Sequence, residues 1–282
     1  MRIAVTGATG QLGGHIIDSL LKRGIPAADI VAIVRNEAKA AGLAARGVTV
    51  AVAPYEDAEA LQQALTGVDR LVLVSGSEVG KRLAQHTNVI NAARAAEVGF
   101  VAYTSLLNAP TSKLSLAPEH VATERLLAES GIDHTVLRNG WYWENYASAL
   151  EPAKATGKMF GAAGDARVAA AARADYAEAA AVVVTGDGHV GMVYELGGTP
   201  ALTYPEIAEA VGEAIGAEVD YVNESVAEYR AGLEGAGLPA DLAGMIAEWD
   251  AAIADGALYS ESTDLQDLIG RPATSATAAL SA

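Results

Sequence analysis

Thr6-Gly7-Ala8-Thr9-Gly10-Gln11-Leu12-Gly13 follows a short apolar run, residues 2–6 (RIAVT), and leads into a helical stretch over residues 15–23. The three glycines make a GxxGxxG spacing in place of the commoner GxGxxG. A strand that turns through glycines into a helix meets three demands together. They are a tight turn, close backbone approach to a pyrophosphate, and close helix–strand packing. N–H groups left free at the helix N-terminus then face the phosphates. Glycines also end strands for purely structural reasons, but strand, loop and helix in this order favour dinucleotide binding.

Further apolar runs lie at residues 30–34 (IVAIV), 48–52 (VTVAV), 71–74 (LVLV), 100–103 (FVAY) and 134–137 (HTVL). Helical stretches at 59–65, 88–97 and 119–129 separate the later ones. Short continuous apolar strands between helices are buried on both faces, as in a parallel sheet, and right-handed crossovers wind such a sheet doubly. The expected fold is α/β, a doubly wound parallel sheet with a smaller mixed α/β C-terminal lobe. After Asn139 the alternation weakens. Residues 175–184 read as a helix N-capped by Asp175, 193–196 as a strand, and 203–215 as a helix with the capping box Thr203/Glu206. Residues 226–255 are mostly helical, and 274–282 read as a frayed tail. We place a dinucleotide-binding domain at 1–140 and a substrate lobe at 141–282, packed on the sheet with the chain free to cross between them.

The 282 residues are 51% hydrophobic and 19% charged, enough apolar material for a substantial core. With no cysteine, disulfides, thiolate metal sites and Cys nucleophiles are excluded. No uncharged stretch reaches the roughly 18 residues a membrane span requires. No leader pattern precedes the first strand, so a cytoplasmic protein is expected. The net charge of −16 argues against nucleic acid. Its distribution is uneven: residues 1–175 carry 17 basic and 17 acidic side chains, whereas 176–282 carry Arg230 and Arg271 against 18 acids. The first region is free to accept an anion; the second reads mainly as a solubilising surface.

Arg35 ends the second strand, 22 residues after Gly13, where an acid would accept from the 2′-hydroxyl of NAD and an arginine suits the 2′-phosphate of NADP. Lys39 stands near enough to assist. Ser75, Gly76 and Ser77 follow the fourth strand with the small side chains a cofactor ribose requires. None of the ten tyrosines is followed by Lys at the fourth position, so the Tyr-x-x-x-Lys dyad of short-chain reductases is absent. Ser105 matches the place of that constellation's serine, without its partners. The five histidines show no metal-ligand spacing. His120, opening a helix near the site, is the candidate proton donor. Trp141, Tyr142, Trp143 and Tyr146 concentrate in one octapeptide after the sixth strand. They form either a hydrophobic hinge into the lobe or a flat pocket for nicotinamide and a planar substrate.

These stretches together resemble the atypical short-chain dehydrogenases of the NmrA-like group: TGATGQLG (6–13), AIVRN (32–36), SGSEVG (75–80), AYTSLL (102–107), LRNGWYWENY (137–146) and GAAGDARVAAAARADYAEAAA (161–181). The likeness is thinnest after about Val226. It implies a flavin-free, metal-free NADPH-dependent reductase with a Rossmann domain and a cleft closed by the smaller lobe. By motif, Gly7, Thr9, Gly10, Gln11 and Leu12 would hold the pyrophosphate, Arg35 the 2′-phosphate, and Ser75, Gly76 and Ser77 the ribose. Asn139, Gly140, Trp141, Tyr142, Trp143 and Glu144 would border the nicotinamide and acceptor, with Arg173 facing the cofactor from the lobe. Gly76, a serine in such relatives, and Trp143, a smaller residue there, depart from the pattern and leave the acceptor open. The reading is hydride transfer from NADPH to a quinone, whose reduction asks little of a tuned acid. A redox sensor that binds NADP(H) and works through a protein partner is the alternative. A sugar- or phenylpropanoid-type reductase is disfavoured by the missing tyrosine.

Overall fold

In a computed structural model that describes residues 1–282, β1 (Ile3–Val5) lies inside a seven-stranded, wholly parallel sheet. β2 (Ile30–Val34) and β3 (Thr49–Val52) lie to one side of it. β4 (Arg70–Leu73), β5 (Phe100–Leu106), β6 (Asp133–Asn139) and, at the far edge, β9 (Val193–Leu196) lie to the other. The winding reverses between β1 and β4, which opens a crevice at the carboxyl ends of the strands.

Alternation along the inner strands feeds two cores. Ile3, Val5, Ile30, Ala32 and Val34 pack under α1 (Gln11–Lys22) and α7 (Arg173–Thr185). Ala4, Val31 and Ile33 face α3 (Ala58–Leu65), α4 (Arg82–Ala95) and α5 (Ala117–Ser130). Successive strand side chains point to opposite faces, so an unbroken apolar run is what two covered faces demand. A short α2 (Ala41–Ala45) precedes β3.

The lobe has a third core, built by the 3₁₀ turn Trp143–Ala149, α6 (Leu150–Thr156), α8 (Tyr204–Ile215), α10 (Ala240–Ala254) and α12 (Ala276–Leu280). β7 (Lys158–Gly161) pairs in parallel with β11 (Asp220–Asn223), and β8 (Arg167–Val168) antiparallel with β10 (Leu202–Thr203). α9 (Val226–Gly235) packs against α10. The Thr203/Glu206 capping box forms as read. The chain crosses between the two parts: α7 and β9 return to the main sheet, and α11 (Asp264–Ile269) packs on both. No helix is long and apolar enough to cross a membrane.

Two readings of the second half are corrected. Asp175 is not the N-cap of α7, a place taken by Ala172. Its fully buried carboxylate instead accepts from Arg271 Nη2 and the Thr274 N–H, each at 2.7 Å, and from the Thr274 hydroxyl at 3.0 Å. Nor is the tail frayed, because Ser275 caps α12 and buries Ala276 and Leu280 in the lobe core. Removing residues 274–282 should therefore lower the unfolding free energy by roughly 2–5 kcal/mol, from lost apolar burial and lost bonds to a buried carboxylate. Urea denaturation of the truncated chain measures this, and an unchanged midpoint would restore the frayed tail.

Candidate active site

The loop after β1 is seated by contacts that only glycine permits. Gly7 adopts φ +58°, and its carbonyl accepts the Gly10 N–H at 2.8 Å. A Cβ on Gly13 would stand 2.3 Å from the Gly7 carbonyl oxygen and 2.9 Å from Ala8 Cα, so α1 can pack this closely only through glycine. Gly10 caps α1 without a side-chain bond, leaving the first N–H groups of the helix open toward the crevice. Thr6 ties this loop to the one after β4. Its Oγ1 accepts the Val74 N–H at 2.9 Å and lies 2.6 Å from the Tyr55 hydroxyl, which reaches the Val74 carbonyl at 2.7 Å.

From this loop a cleft of about 930 Å³ runs along the carboxyl edge of the sheet into the lobe, near the upper end of the ~300–1,000 Å³ usual for small-molecule sites. Gly7, Thr9, Gly10, Gln11, Leu12, Arg35, Ser75, Gly76 and Ser77 line one end. Asn139, Gly140, Trp141, Tyr142 and Arg173 line its middle, with Ser105 and His120 on the wall. Arg35 is exposed and paired with Glu78 at 2.9 Å. A hydrogen bond and the charge of Lys81 hold the Glu78 carboxyl below its ordinary range. Lys39 does not line the cleft.

The loop over residues 75–80 is gripped by polar side chains that sequence reading missed. The Ser75 N–H donates to Thr104 Oγ1 at 2.9 Å, and the Gly76 N–H to His86 Nε2 at 3.0 Å. The Gly76 carbonyl accepts from Arg82 Nε at 2.8 Å, while Glu119 takes both Arg82 Nη1 and the Gly80 N–H at 3.1 Å. A Cβ on Gly76 would meet Gln85 Oε1 at 2.8 Å. Because Nε2 of His86 accepts, Nδ1 carries the proton and donates to Thr123 at 3.0 Å. Burial, aided by the Arg82 charge, brings the His86 pKa down to about 3, so this neutral form persists. The available signal was a trio of polar residues, 82, 85 and 86, on one face of a helix.

Both candidates for proton transfer are engaged with buried neighbours. Burial lowers His120 to about 3, and its Nδ1 is paired with the Tyr103 hydroxyl at 2.8 Å. Ser105 Oγ donates to Glu124 Oε1 at 2.6 Å. Glu124 is in turn clamped by two nitrogens of Arg138, at 3.0 and 2.7 Å.

The aromatic octapeptide divides between its two readings. Gly140 lets β6 turn where a Cβ would lie 2.6 Å from the Ala169 carbonyl, and Trp141 and Tyr142 reach the cleft. Trp143 and Glu144 do not line it, which corrects their placement beside the nicotinamide. Trp143 is 3% exposed in the lobe core. Glu144 accepts the Arg173 N–H at 2.9 Å at the start of α7, and the Arg173 guanidinium lies 4.7 Å over the Tyr142 ring. At the lobe end Trp249 meets Trp141 edge-on with centroids 5.8 Å apart. Tyr146 of the octapeptide joins them, with Tyr229 and Met245, which the sequence reading did not single out. The orphaned amide of Asn139, buried with neither polar atom bonded, and the glycine cradle under α1 fit a bound dinucleotide. No group of His, Asp or Glu side chains is arranged to hold a metal ion.

The NmrA-like family matches residues 1–266. Quinone oxidoreductase 2 of Escherichia coli (strain K12) is 54% identical over 272 residues, which are 96% of this chain and 95% of that protein. The crystal structure of an NADPH-dependent quinone oxidoreductase from E. coli complexed with NADPH superposes with a TM-score of 0.95, at 52% identity over 99% of both chains. That of the Citrobacter sp. triphenylmethane reductase complexed with NADP(H) gives 0.94, at 38% identity over 99% of both.

The buried histidines predict an acid limit. In the unfolded chain His86 and His120 take up protons below about pH 6.5, but in the fold not until about pH 3. Between those values the unfolded state binds more protons, so stability falls as pH falls. Each histidine contributes a slope of up to about 1.4 kcal/mol per pH unit. In urea unfolding from pH 6.5 to 4, His86→Gln, whose amide oxygen can still accept from Gly76, should reduce the slope by as much as one histidine's share. An unaltered slope would show that His86 does not carry it.

Proposed function

Because the chain belongs to the NmrA-like family, we propose that it is a flavin-free quinone reductase that takes a hydride from NADPH and passes it directly to a quinone. The observation that carries this is a single cleft joining a dinucleotide loop to an aromatic pocket, in a chain without the Tyr-x-x-x-Lys dyad. The high identity to a quinone oxidoreductase along nearly the whole chain supports the same acceptor.

NADPH supplies the hydride when bound. The residues that would hold it are the open N–H groups at the start of α1 and Gly7 to Leu12 for the pyrophosphate, Arg35 for the 2′-phosphate, and residues 75–77 for the ribose. The Asn139 amide, able both to donate and to accept, suits the carboxamide of the nicotinamide. The clamp from Arg82, His86 and Thr104 keeps the loop at 75–80 from moving as the ribose settles. Arg35 exchanges Glu78 for the phosphate, a swap between exposed charges that costs little. At the other end Trp141 and Trp249 offer flat apolar surface to a planar ring and exclude water. A quinone becomes an aromatic hydroquinone, whose stability replaces much of what a positioned acid supplies to a ketone. The chain therefore contributes mainly proximity and orientation.

The purified protein, free of bound flavin, should oxidise NADPH in the presence of benzoquinones and naphthoquinones. Simple aliphatic ketones should be poorer by about 10²–10⁴ in kcat/KM, the usual worth of general acid catalysis. Saturable NADPH binding with no quinone-dependent oxidation would leave the sensor reading in its place. Equal kcat/KM for ketones and quinones would reveal a donor after all, with His120 the first to replace.

Arg35→Ala should weaken NADPH binding by roughly 10- to 150-fold, from about 1.5–3 kcal/mol of charge-assisted hydrogen bonding. NADH binding should be nearly unchanged. Fluorescence titration with both cofactors decides it: equal losses would mean that Arg35 stacks on the shared adenine.

A further inference from the structure

Five apolar side chains of the lobe are half-buried and line the same cleft as Trp141 and Trp249: Tyr229 and Leu233 of α9, Leu238 of the turn that follows, and Met245 and Ile246 of α10. None of the five packs on any of the three cores. Single half-exposed apolar residues need no explanation, but a contiguous set lining a cleft is a patch of the kind that marks a binding site. Their spacing accounts for it. Tyr229 and Leu233 stand one turn apart on α9, and Met245 and Trp249 one turn apart on α10, so each helix turns one face to the cleft. Because α9 and α10 pack together, the two faces form one apolar strip. Ala243 and Ala247 of α10, by contrast, are fully buried.

The strip offers no charge to a ligand. Among the cleft-lining residues between 226 and 253 only Asp250 is charged, and it is engaged within the lobe. One oxygen accepts the Tyr204 hydroxyl at 2.9 Å and the other the Ala162 N–H at 2.7 Å. Outside, residues 176–282 carry two arginines against 18 acids. An anionic ligand would therefore meet repulsion on approach and no partner on arrival, whereas an apolar one would cover side chains that nothing else covers. The strip also continues the surface that receives the acceptor ring, since Trp249 stands on the same helix and meets Trp141 edge-on at 5.8 Å. From Trp249 back to Met245 it extends about 6 Å along α10. Its place inside a cleft suits a narrow chain better than the broad face of a second protein.

We propose that the acceptor is a quinone bearing an apolar side chain: its ring lies by Trp141 and Trp249, and its chain runs along the strip that α9 and α10 present. This rests on the quinone-reductase reading and adds the class of quinone. Hydride transfer involves only the ring, so the side chain takes no part in the chemistry. Its contribution is the apolar area that it and the strip remove from water together. Contacts made equally before and during the reaction lower KM and leave kcat as it was. The strip therefore selects among acceptors without changing the rate at which a bound one is reduced.

The test titrates 2-alkyl-1,4-naphthoquinones, from methyl to hexyl, into the NADP⁺-loaded protein and follows tryptophan quenching. Kd should fall by up to about fourfold for each methylene buried and level off once the chain outruns the strip. In turnover KM should follow Kd while kcat stays constant. 1,4-Naphthoquinone-2-sulfonate should bind more weakly than the methyl compound. Leu233→Ser and Ile246→Ser, each made alone, should raise the Kd of the hexyl compound by about 3- to 10-fold. They should leave the methyl compound and NADPH nearly unchanged, and the thermal midpoint close to wild type, because neither side chain packs on a core. Val190→Ser, which removes an exposed apolar side chain outside the cleft, should change none of these. A Kd independent of chain length would overturn the proposal, as would a dependence that both cleft variants retain. So would a sulfonate that binds as tightly as the hexyl compound. A dimer in sedimentation that Leu233→Ser dissociates would assign the strip to a second copy of the chain and overturn it as well. 2-Alkylnaphthalenes, which have no carbonyl to reduce, keep the two readings apart. If they show the same chain-length dependence while no quinone is reduced, the strip stands and the enzyme reading fails. Quinone reduction with no such dependence has the opposite meaning.

Discussion

A methyl group on Gly13 would overlap the carbonyl oxygen of Gly7, and the cleft depends on that close approach. It seats α1 directly on the loop after β1, so the open end of the helix points along the carboxyl edge of the sheet. The partial positive charge of a helix end falls off within about one turn. A displacement of even a few ångströms would take it away from the phosphates. The left-handed turn at Gly7 and the uncapped Gly10 serve the same end, since a side-chain cap would occupy the N–H groups that a phosphate needs.

Fixing one side of a groove has little value if the other side moves. Arg82, His86, Glu119 and Thr104 hold the opposing loop by its backbone, with donors and acceptors matched group by group. The match requires His86 to be neutral. An imidazolium there would present N–H to the Gly76 N–H, replacing an attraction with a repulsion. Burying the ring, with Arg82 adding to the effect, keeps it in the form that the loop requires. Conformational stability and cofactor geometry are thus linked through one proton.

How much was legible in the sequence follows from which groups are apolar. Residues 30–34 and 193–196 matched their strands because both are short runs with clear ends. β5 and β6 run on to Leu106 and Asn139, beyond the runs at 100–103 and 134–137, because their last turns toward the cleft carry Thr104, Ser105, Arg138 and Asn139. α4 begins at Arg82, six residues before the expected start at 88. Its first turns bury Arg82, Gln85 and His86, which leave no apolar stripe to read. The glycine loop, Arg35 and Trp141, read from motif and position, all line the cleft. The same reading misplaced Trp143 and Glu144, because a run of adjacent residues in an irregular turn carries no period from which to tell inward from outward. The lobe's contribution was illegible for a related reason. Tyr229, Met245 and Trp249 are brought to the aromatic segment only by the return of the chain through α9 and α10.

The commitments of protons inside the site then bear on the chemistry. Ser105 gives its proton to Glu124, and Tyr204 gives its own to Asp250. His120 and Tyr103 share one between them. Burial raises the Tyr103 pKa and lowers that of His120, so neither residue changes charge near neutral pH. Groups arranged in this way offer hydrogen bonds more readily than protons. Reduction of an isolated carbonyl places full charge on an alkoxide and demands an acid at that moment. Reduction of a quinone spreads the charge over a ring that becomes aromatic, and protonation can wait for solvent. The absence of the Tyr-x-x-x-Lys dyad and the burial of His120, Tyr103 and Ser105 therefore point the same way, toward an acceptor that needs no positioned acid.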